Sequence, residues 1–217
     1  MHIPDGYLST LTYGIGYVVS LPLWAIAFKK LKEELNEETL PLIATLSALS
    51  FVIMMFNIPV PGGTSGHALG VAIISILFSP WIGFLSLSLV IFIQAILFGD
   101  GGITSFAINA LSMGFLGAFS AKIAYDRFKS YKYAPFIAGW VSAVSSSVLV
   151  AVVLGIQPLI AIQDGKPLYF PFGLDVTFPA LVGSHILFFG VVEGIFTQLA
   201  YRFLVKLEPN LTKEYAK

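Results

Sequence analysis

The chain contains three histidines, and two of them stand where an imidazole can chelate with little help. It opens Met1-His2-Ile3-Pro4-Asp5-Gly6. The α-amine of Met1, the backbone nitrogen of His2 and the His2 Nδ1 can close a five- and a six-membered ring around one metal ion. That fills three corners of a square. The fourth falls to His67, in the glycine-rich run Pro61-Gly62-Gly63-Thr64-Ser65-Gly66-His67. Square-planar nitrogen sites suit nickel(II) or copper(II). The amine must be free and Met1 retained, and the bulky His2 beside it disfavours removal of the methionine. The His2 amide must lose its proton, which nickel(II), copper(II) and low-spin cobalt(II) drive and zinc and magnesium generally do not. Both imidazoles must be neutral, so affinity falls in acid. Copper leads in raw affinity, so the ligands alone leave nickel, cobalt and copper open.

Each histidine has a plain reading when taken singly. A histidine at position two can arise by chance, and a loop histidine often caps a helix. Weight shifts to metal when both fall on one side of the fold beside irregular backbone. Asp5, Ser65, Thr64 and Asp100 are the nearby groups able to orient the rings. Pro4 and Gly6 let the chain turn inward after the chelate. His185, in Gly183-Ser184-His185, reads first as a satisfied core histidine and second as a further partner of the site. Glu193 lies eight residues on, on nearly the same helix face. An acid inside an apolar segment is a functional candidate by default. Its structural reading is a hydrogen bond across the bundle to Asn109, Gln94 or Gln198.

The elements that must position these residues are membrane spans. Hydrophobic residues make up 57% of the 217 and charged residues 11%, against about 25% charged in soluble domains. Seven apolar segments are read, at 11–28, 40–56, 67–79, 81–98, 103–125, 134–156 and 177–204. They form one domain over 1–217, an all-α bundle of seven transmembrane helices. Crossing the hydrocarbon takes roughly 20 residues, so 67–79 is short and is expected to be broken or re-entrant near the outer face, against protein or a water-filled cavity. Joined to 81–98 through Pro80, it would instead make one kinked helix and six spans.

Lysine and arginine set the orientation. With seven spans one side carries Lys29, Lys30, Lys32, Lys122, Arg127, Lys129, Lys132, Arg202, Lys206, Lys213 and Lys217, and the other only Lys166. The basic side is then cytoplasmic, and the N-terminus, the His67 loop and the Asp100 loop lie outside. Six spans would scramble this bias. Asp5, Asp100, Asp164 and Asp175 make the outer mouth acidic, which attracts cations. The start has no basic region and does not read as a cleavable signal. The expected location is the plasma membrane of a prokaryote.

Several classes are excluded or disfavoured. Net charge is zero, so nothing draws nucleic acid. Cysteine is absent, which removes thiolate metal sites and cysteine nucleophiles. No Gly-x-x-x-x-Gly-Lys-Ser/Thr run occurs, so any ATP is hydrolysed elsewhere. A self-sufficient metal channel or carrier would need a polar path, for which Glu193, Asn109 and Gln94 are the candidates. An intramembrane serine protease would pair Ser65 or Ser184 with His67 or His185, but no nucleophile elbow surrounds them. The chain is read as a non-enzyme. Small residues four apart, such as Ala44 and Ala48, or Gly114 and Ala118, let helices approach closely.

Four stretches carry a family resemblance: Met1–Ser9; Pro59–Gly70; Gln94–Ile103 with Phe-Gly-Asp-Gly-Gly-Ile; and His185–Thr197. Together they resemble the nickel- and cobalt-binding S components (NikM/CbiM type) of energy-coupling-factor transporters, over essentially the whole chain. The resemblance implies one helix added to a six-helix core and an N-terminus that dips into the bundle from outside. It implies metal held by Met1, His2 and His67. It also implies partners: a membrane coupling protein (EcfT-like, NikQ/CbiQ type), two cytoplasmic ATPases (NikO/CbiO type) and a small accessory membrane subunit (NikN/CbiN type), here expected as a separate chain. No catalytic cofactor is implied; nickel or cobalt is cargo. Such components are thought to topple in the bilayer to deliver it.

Overall fold

The computed structural model describes residues 1–37 and 39–207; Lys213 and Lys217 of the charge count lie outside them. Helices follow the apolar segments in order: α1 (Thr10–Glu34), α2 (Thr39–Met54), α3 (Val71–Leu77), α4 (Pro80–Phe98), α5 (Phe106–Phe128), α6 (Ala134–Ile160) and α7 (Leu174–Leu207). Two two-stranded hairpins interrupt them: β1 (Ile58–Pro59) with β2 (Ser65–Gly66), and β3 (Ile162–Gln163) with β4 (Lys166–Pro167). Five helices, α1 and α4 to α7, are long and apolar enough to cross a bilayer; α2 is apolar but only 16 residues long.

Apolar side chains such as Leu11, Val18, Leu97, Leu187 and Phe203 stand exposed on the outside, as a lipid-facing surface requires. The interior is packed through small residues: Gly16 of α1 lies against Ile108, and Gly114 of α5 against Phe84. Helices α1 and α2 both pack on α4. Between them they leave an apolar cavity of about 800 Å³ lined in part by Ala44, Ser47 and Ala48.

The third segment is where sequence and structure differ most. Its helix is only seven residues long, and all seven are buried. Gly70 begins it in the left-handed conformation (φ +72°), and Phe78 (ψ −105°) ends it. Ser79 then caps α4 and Pro80 takes its first turn, where a missing N–H costs nothing. The chain reverses here. A Cβ on Gly83 would lie 2.3 Å from the Ser75 hydroxyl, whereas in one continuous helix these residues would be roughly 12 Å apart along the axis. A single kinked helix through Pro80 is therefore ruled out.

The loops gather at two ends. At one, Asn57 bonds Asp100 (3.2 Å), Ser9 bonds Gln157 (2.9 Å) and Tyr7 packs on Phe170. At the other, Leu31, Leu42 and Leu204 pack around Phe78 and Ile82. Two helices carry π-helical turns, Ala110–Leu116 in α5 and Pro179–Gly183 and His185–Phe189 in α7. Such turns often mark functional positions, and these lie beside Asn109 and at His185.

Candidate metal centre

The first three residues are inside the protein: Met1 is 0%, His2 3% and Ile3 0% exposed. They are held by side chains that imitate a neighbouring strand. Ile3 N–H donates to Asn109 Oδ1 (2.9 Å), and Asn109 Nδ2 donates back to the Ile3 carbonyl (3.0 Å), which also accepts from the Ser105 hydroxyl. Asp5 fastens the next turn. Its carboxylate accepts from the Ile103 and Thr104 N–H groups (3.1 and 2.8 Å) and the Thr104 hydroxyl. Gly102 is required beside it, since a Cβ there would fall 2.3 Å from the Asp5 carboxylate. Asp5 thus anchors the tail to the 99–105 loop and makes no hydrogen bond to an imidazole.

His67 arrives from the opposite direction. The Pro-Gly-Gly-Thr-Ser-Gly run folds as the β1–β2 hairpin, Ile58 opposite Gly66, turning at Gly62 (φ +76°). Gly66 crosses the Phe189 ring, where a Cβ would lie 2.0 Å away. That passage carries His67 into the core, where its ring stacks on His2 at 4.7 Å with 22° between planes. The Met1 amine donates to the Ser65 carbonyl and to the Ser65 hydroxyl (3.0 Å). Met1, His2, Ser65 and His67 are therefore brought together.

The nitrogens are left open. His67 Nδ1 bonds the Ala68 carbonyl (3.0 Å), so Nδ1 carries the proton and the buried Nε2 keeps its lone pair without a partner. Neither ring nitrogen of His2 has an aligned hydrogen bond; Asp100 Oδ1 stands 3.2 Å from Nδ1. A buried polar group without a partner costs on the order of 1–3 kcal/mol, so His2 Nε2 and His67 Nε2 in one spot demand a reason. Among the described residues no three or more His, Cys, Asp or Glu side chains converge as a metal site. Any square of nitrogens here draws on the chain's own backbone and amine.

Charge is tuned to match. Burial lowers the Met1 amine from near 8 to about 4, against the pull of Asp100. Burial likewise pulls His2 below its usual value, with the Asp100 contact opposing. Both groups are thus neutral near pH 7, the form a cation needs. Burial alone would push Asp100 up, but contacts with His2, the amine and Asn57 hold its carboxyl below the ordinary range, so a negative charge faces the His2 ring. Asp100→Asn is expected to weaken metal binding by about 10-fold, because the carboxylate stands 3.2 Å from the nitrogen proposed to take the metal and its negative charge attracts the cation. Calorimetric titration with nickel(II) checks this; an unchanged Kd removes Asp100 from the site.

His185 is half satisfied. Its Nδ1 bonds the Leu181 carbonyl (2.7 Å), while its buried Nε2 has no partner. It lies near enough to the Met1 amine for the two to interact electrostatically, and Phe189 beside it forms the wall that Gly66 crosses. The expected partners of Glu193 are corrected: its carboxyl accepts from Leu69 and Gly70 N–H, Asn109 holds Ile3, and Gln94 donates to the Phe51 carbonyl. Asn109 and Ser105 as clamps of the tail were not legible in the sequence, because nothing in spacing tells that an amide will pair with backbone some hundred residues away.

Comparison with known proteins follows the same lines. The family described as "Cobalt uptake substrate-specific transmembrane region" matches residues 2–211. A probable fused nickel transport protein of Lactiplantibacillus plantarum is 38% identical over 97% of this chain and 66% of its own length. A fused nickel transport protein of Rhodobacter capsulatus is 39% identical over 97% and 63%. The chain therefore spans about two thirds of these relatives. A putative metal transport protein of Methanocaldococcus jannaschii is 37% identical over 97% of this chain and 94% of its own. A crystal structure of a truncated transition metal transporter superposes with a TM-score of 0.92 at 38% identity, covering 95% of this chain and 99% of that one.

Proposed function

The chain belongs to the cobalt uptake substrate-specific transmembrane (CbiM) family, and from that premise we propose that it captures nickel(II) or cobalt(II) at the outer face in a square of four nitrogens. They are the Met1 amine, the His2 amide and Nδ1, and His67 Nε2. The observation that carries this is the buried start of the chain, its His2 ring stacked on an imidazole whose Nε2 lone pair has no partner. We infer seven crossings with the N-terminus outside. The reversal at Phe78–Ser79, the sorting of loops to two ends and the eleven-to-one bias of basic residues support it.

Delivery is proposed to depend on partners of the energy-coupling-factor kind: a coupling protein, ATPases and a small accessory subunit. The chain has no phosphate-binding loop of its own. The helix that follows the His67 loop, α3, is buried and apolar except for Ser75. The three polar groups that a self-sufficient carrier would need are engaged elsewhere: Asn109 by Ile3, Gln94 by Phe51, Glu193 by the loop backbone. The protease reading is weaker: Ser184 Oγ lies 3.4 Å from His185 Nδ1, but that hydroxyl donates to the Leu181 carbonyl (2.9 Å) and Nδ1 meets the same carbonyl at 2.7 Å. Ser65 uses its hydroxyl on the amine, and His67 Nδ1 is held by its neighbour's carbonyl.

The test is a titration of the purified protein with nickel(II) and cobalt(II), beside His67→Ala. One metal per chain is expected. His67→Ala is expected to weaken binding about 10–100-fold or more, with the helical content unchanged. Equal affinity in the two proteins would exclude His67 as a ligand and sink the four-nitrogen reading.

A further inference from the structure

Glu193 lies in α7, is 0% exposed and hydrogen-bonds the backbone just after His67. Its Oε2 accepts from Leu69 N–H (2.6 Å) and Gly70 N–H (3.1 Å), and Oε1 also accepts from Gly70 N–H (3.1 Å). The glycine-rich loop runs beside α7 over its whole length. Gly62 abuts Val176, Gly63 abuts Leu181 and Gly66 abuts Phe189, each too close for a Cβ. The Glu193 contact ends this row, so His67 hangs between two fixed points, Gly66 on Phe189 and Leu69 on Glu193.

One peptide unit links the acid to the ring. The Ala68–Leu69 peptide gives its N–H to Glu193 and accepts His67 Nδ1 at its carbonyl. We propose that Glu193 is the positioning residue for His67. By holding that peptide plane it aims the carbonyl that selects the Nδ1–H tautomer and turns Nε2 toward the site. A hydrogen bond to one end of a peptide polarises the other and strengthens the next bond in the chain, and a firmer partner on the free nitrogen makes a histidine a better ligand. The arrangement is a carboxylate–histidine pair with a peptide inserted between its members. It rests on His67 being a ligand.

The experiment is nickel(II) titration of Glu193→Gln and Glu193→Asp, each in the native and the His67→Ala background. Glutamine brings an NH2 group against two N–H donors. Aspartate keeps the carboxyl but is one methylene short. Both are expected to weaken binding about 10–100-fold in the native background. In the His67→Ala background, where the Met1–His2 chelate still binds weakly, they are expected to cost less than about threefold. Equal losses in the two backgrounds, or wild-type affinity in Glu193→Asp, would overturn the proposal, because the effect would then not pass through the ring. Should Glu193→Gln fail to fold, Glu193→Asp carries the same decision. The His67→Ala protein alone separates the two readings: if it binds as tightly as wild type, the ligand assignment falls, and otherwise only the role of Glu193 is at stake.

Discussion

A copy of the protein with three residues added before Met1 is expected to lose tight metal binding while keeping every side chain of the site. The added peptide bond converts the amine to an amide and removes one corner of the square. It also forces new chain into a space that is closed, since Met1 and Ile3 are fully buried and the amine is already turned toward Ser65. The fused rings share the His2 amide nitrogen, so displacing Met1 opens the first and loosens the second. Loss of a single orienting partner costs about 10–100-fold in metal affinity; loss of a ligand together with its ring is expected to cost at least about 1,000-fold. Stability is expected to change less than binding, because the hydrogen bonds of Ile3 and Asp5 run to the 99–109 stretch, although Met1 and Ile3 also share a buried cluster with Leu69 and Val71. Titration calorimetry and thermal unfolding of the two forms side by side decide it. Matching stoichiometry and affinity would show that the amine is not a ligand.

Much of this was legible in the sequence, for a physical reason. Lipid demands long apolar runs, and a run of apolar residues is visible without knowing what it packs against. The helices α2, α4, α5, α6 and α7 begin and end within four residues of the segments read, while α1 runs six residues further than read, to Glu34. The third segment was legible as short, but not as a seven-residue helix. Hydropathy reads 67–79 as continuous, while the boundaries are set by the left-handed Gly70 against Ser50 and the break at Phe78. Histidines two and 67 could be paired from chemistry alone, because few arrangements use an amine and its neighbouring imidazole. The groups that hold them are a different case. Asp5 and Asp100 carry the same charge on the same face, yet one fastens a loop and the other faces His2. That difference is tertiary. Glu193 reads in the sequence as a partner of Asn109, Gln94 or Gln198, as buried polar residues in an apolar bundle suggest. Asn109 and Glu193 instead each satisfy backbone that the helices cannot: the extended tail at Ile3 and the turn at Leu69–Gly70.

Acid is expected to weaken metal binding with a proton count that reports where the tail is. A cation displaces whatever protons its ligands carry. In water a terminal amine titrates near 8 and an imidazole near 6.5. A free peptide with this start therefore has the amine, the imidazole and the amide all competing below neutrality. Inside the protein, burial disfavours the charged forms and so lowers the pKa of a base; the amine falls to about 4 and His2 is pulled down as well. Both are already neutral at pH 7, so only the His2 amide proton has to leave. Affinity is then expected to fall by about tenfold per pH unit from pH 8 to pH 7, one proton's worth. It should steepen further down, as His2 and the amine, both held below their usual values, begin to take up protons. If the tail left the bundle in the metal-free state, its amine would protonate near 8 and its imidazole near 6.5, and the slope would approach two decades per unit below pH 8 and three below about pH 6.5. Nickel(II) titrations in buffers of differing ionisation enthalpy count the protons released at each pH. One proton at pH 7 fits a preformed, buried amine, whereas two would mean that the terminus is solvated until the metal draws it in.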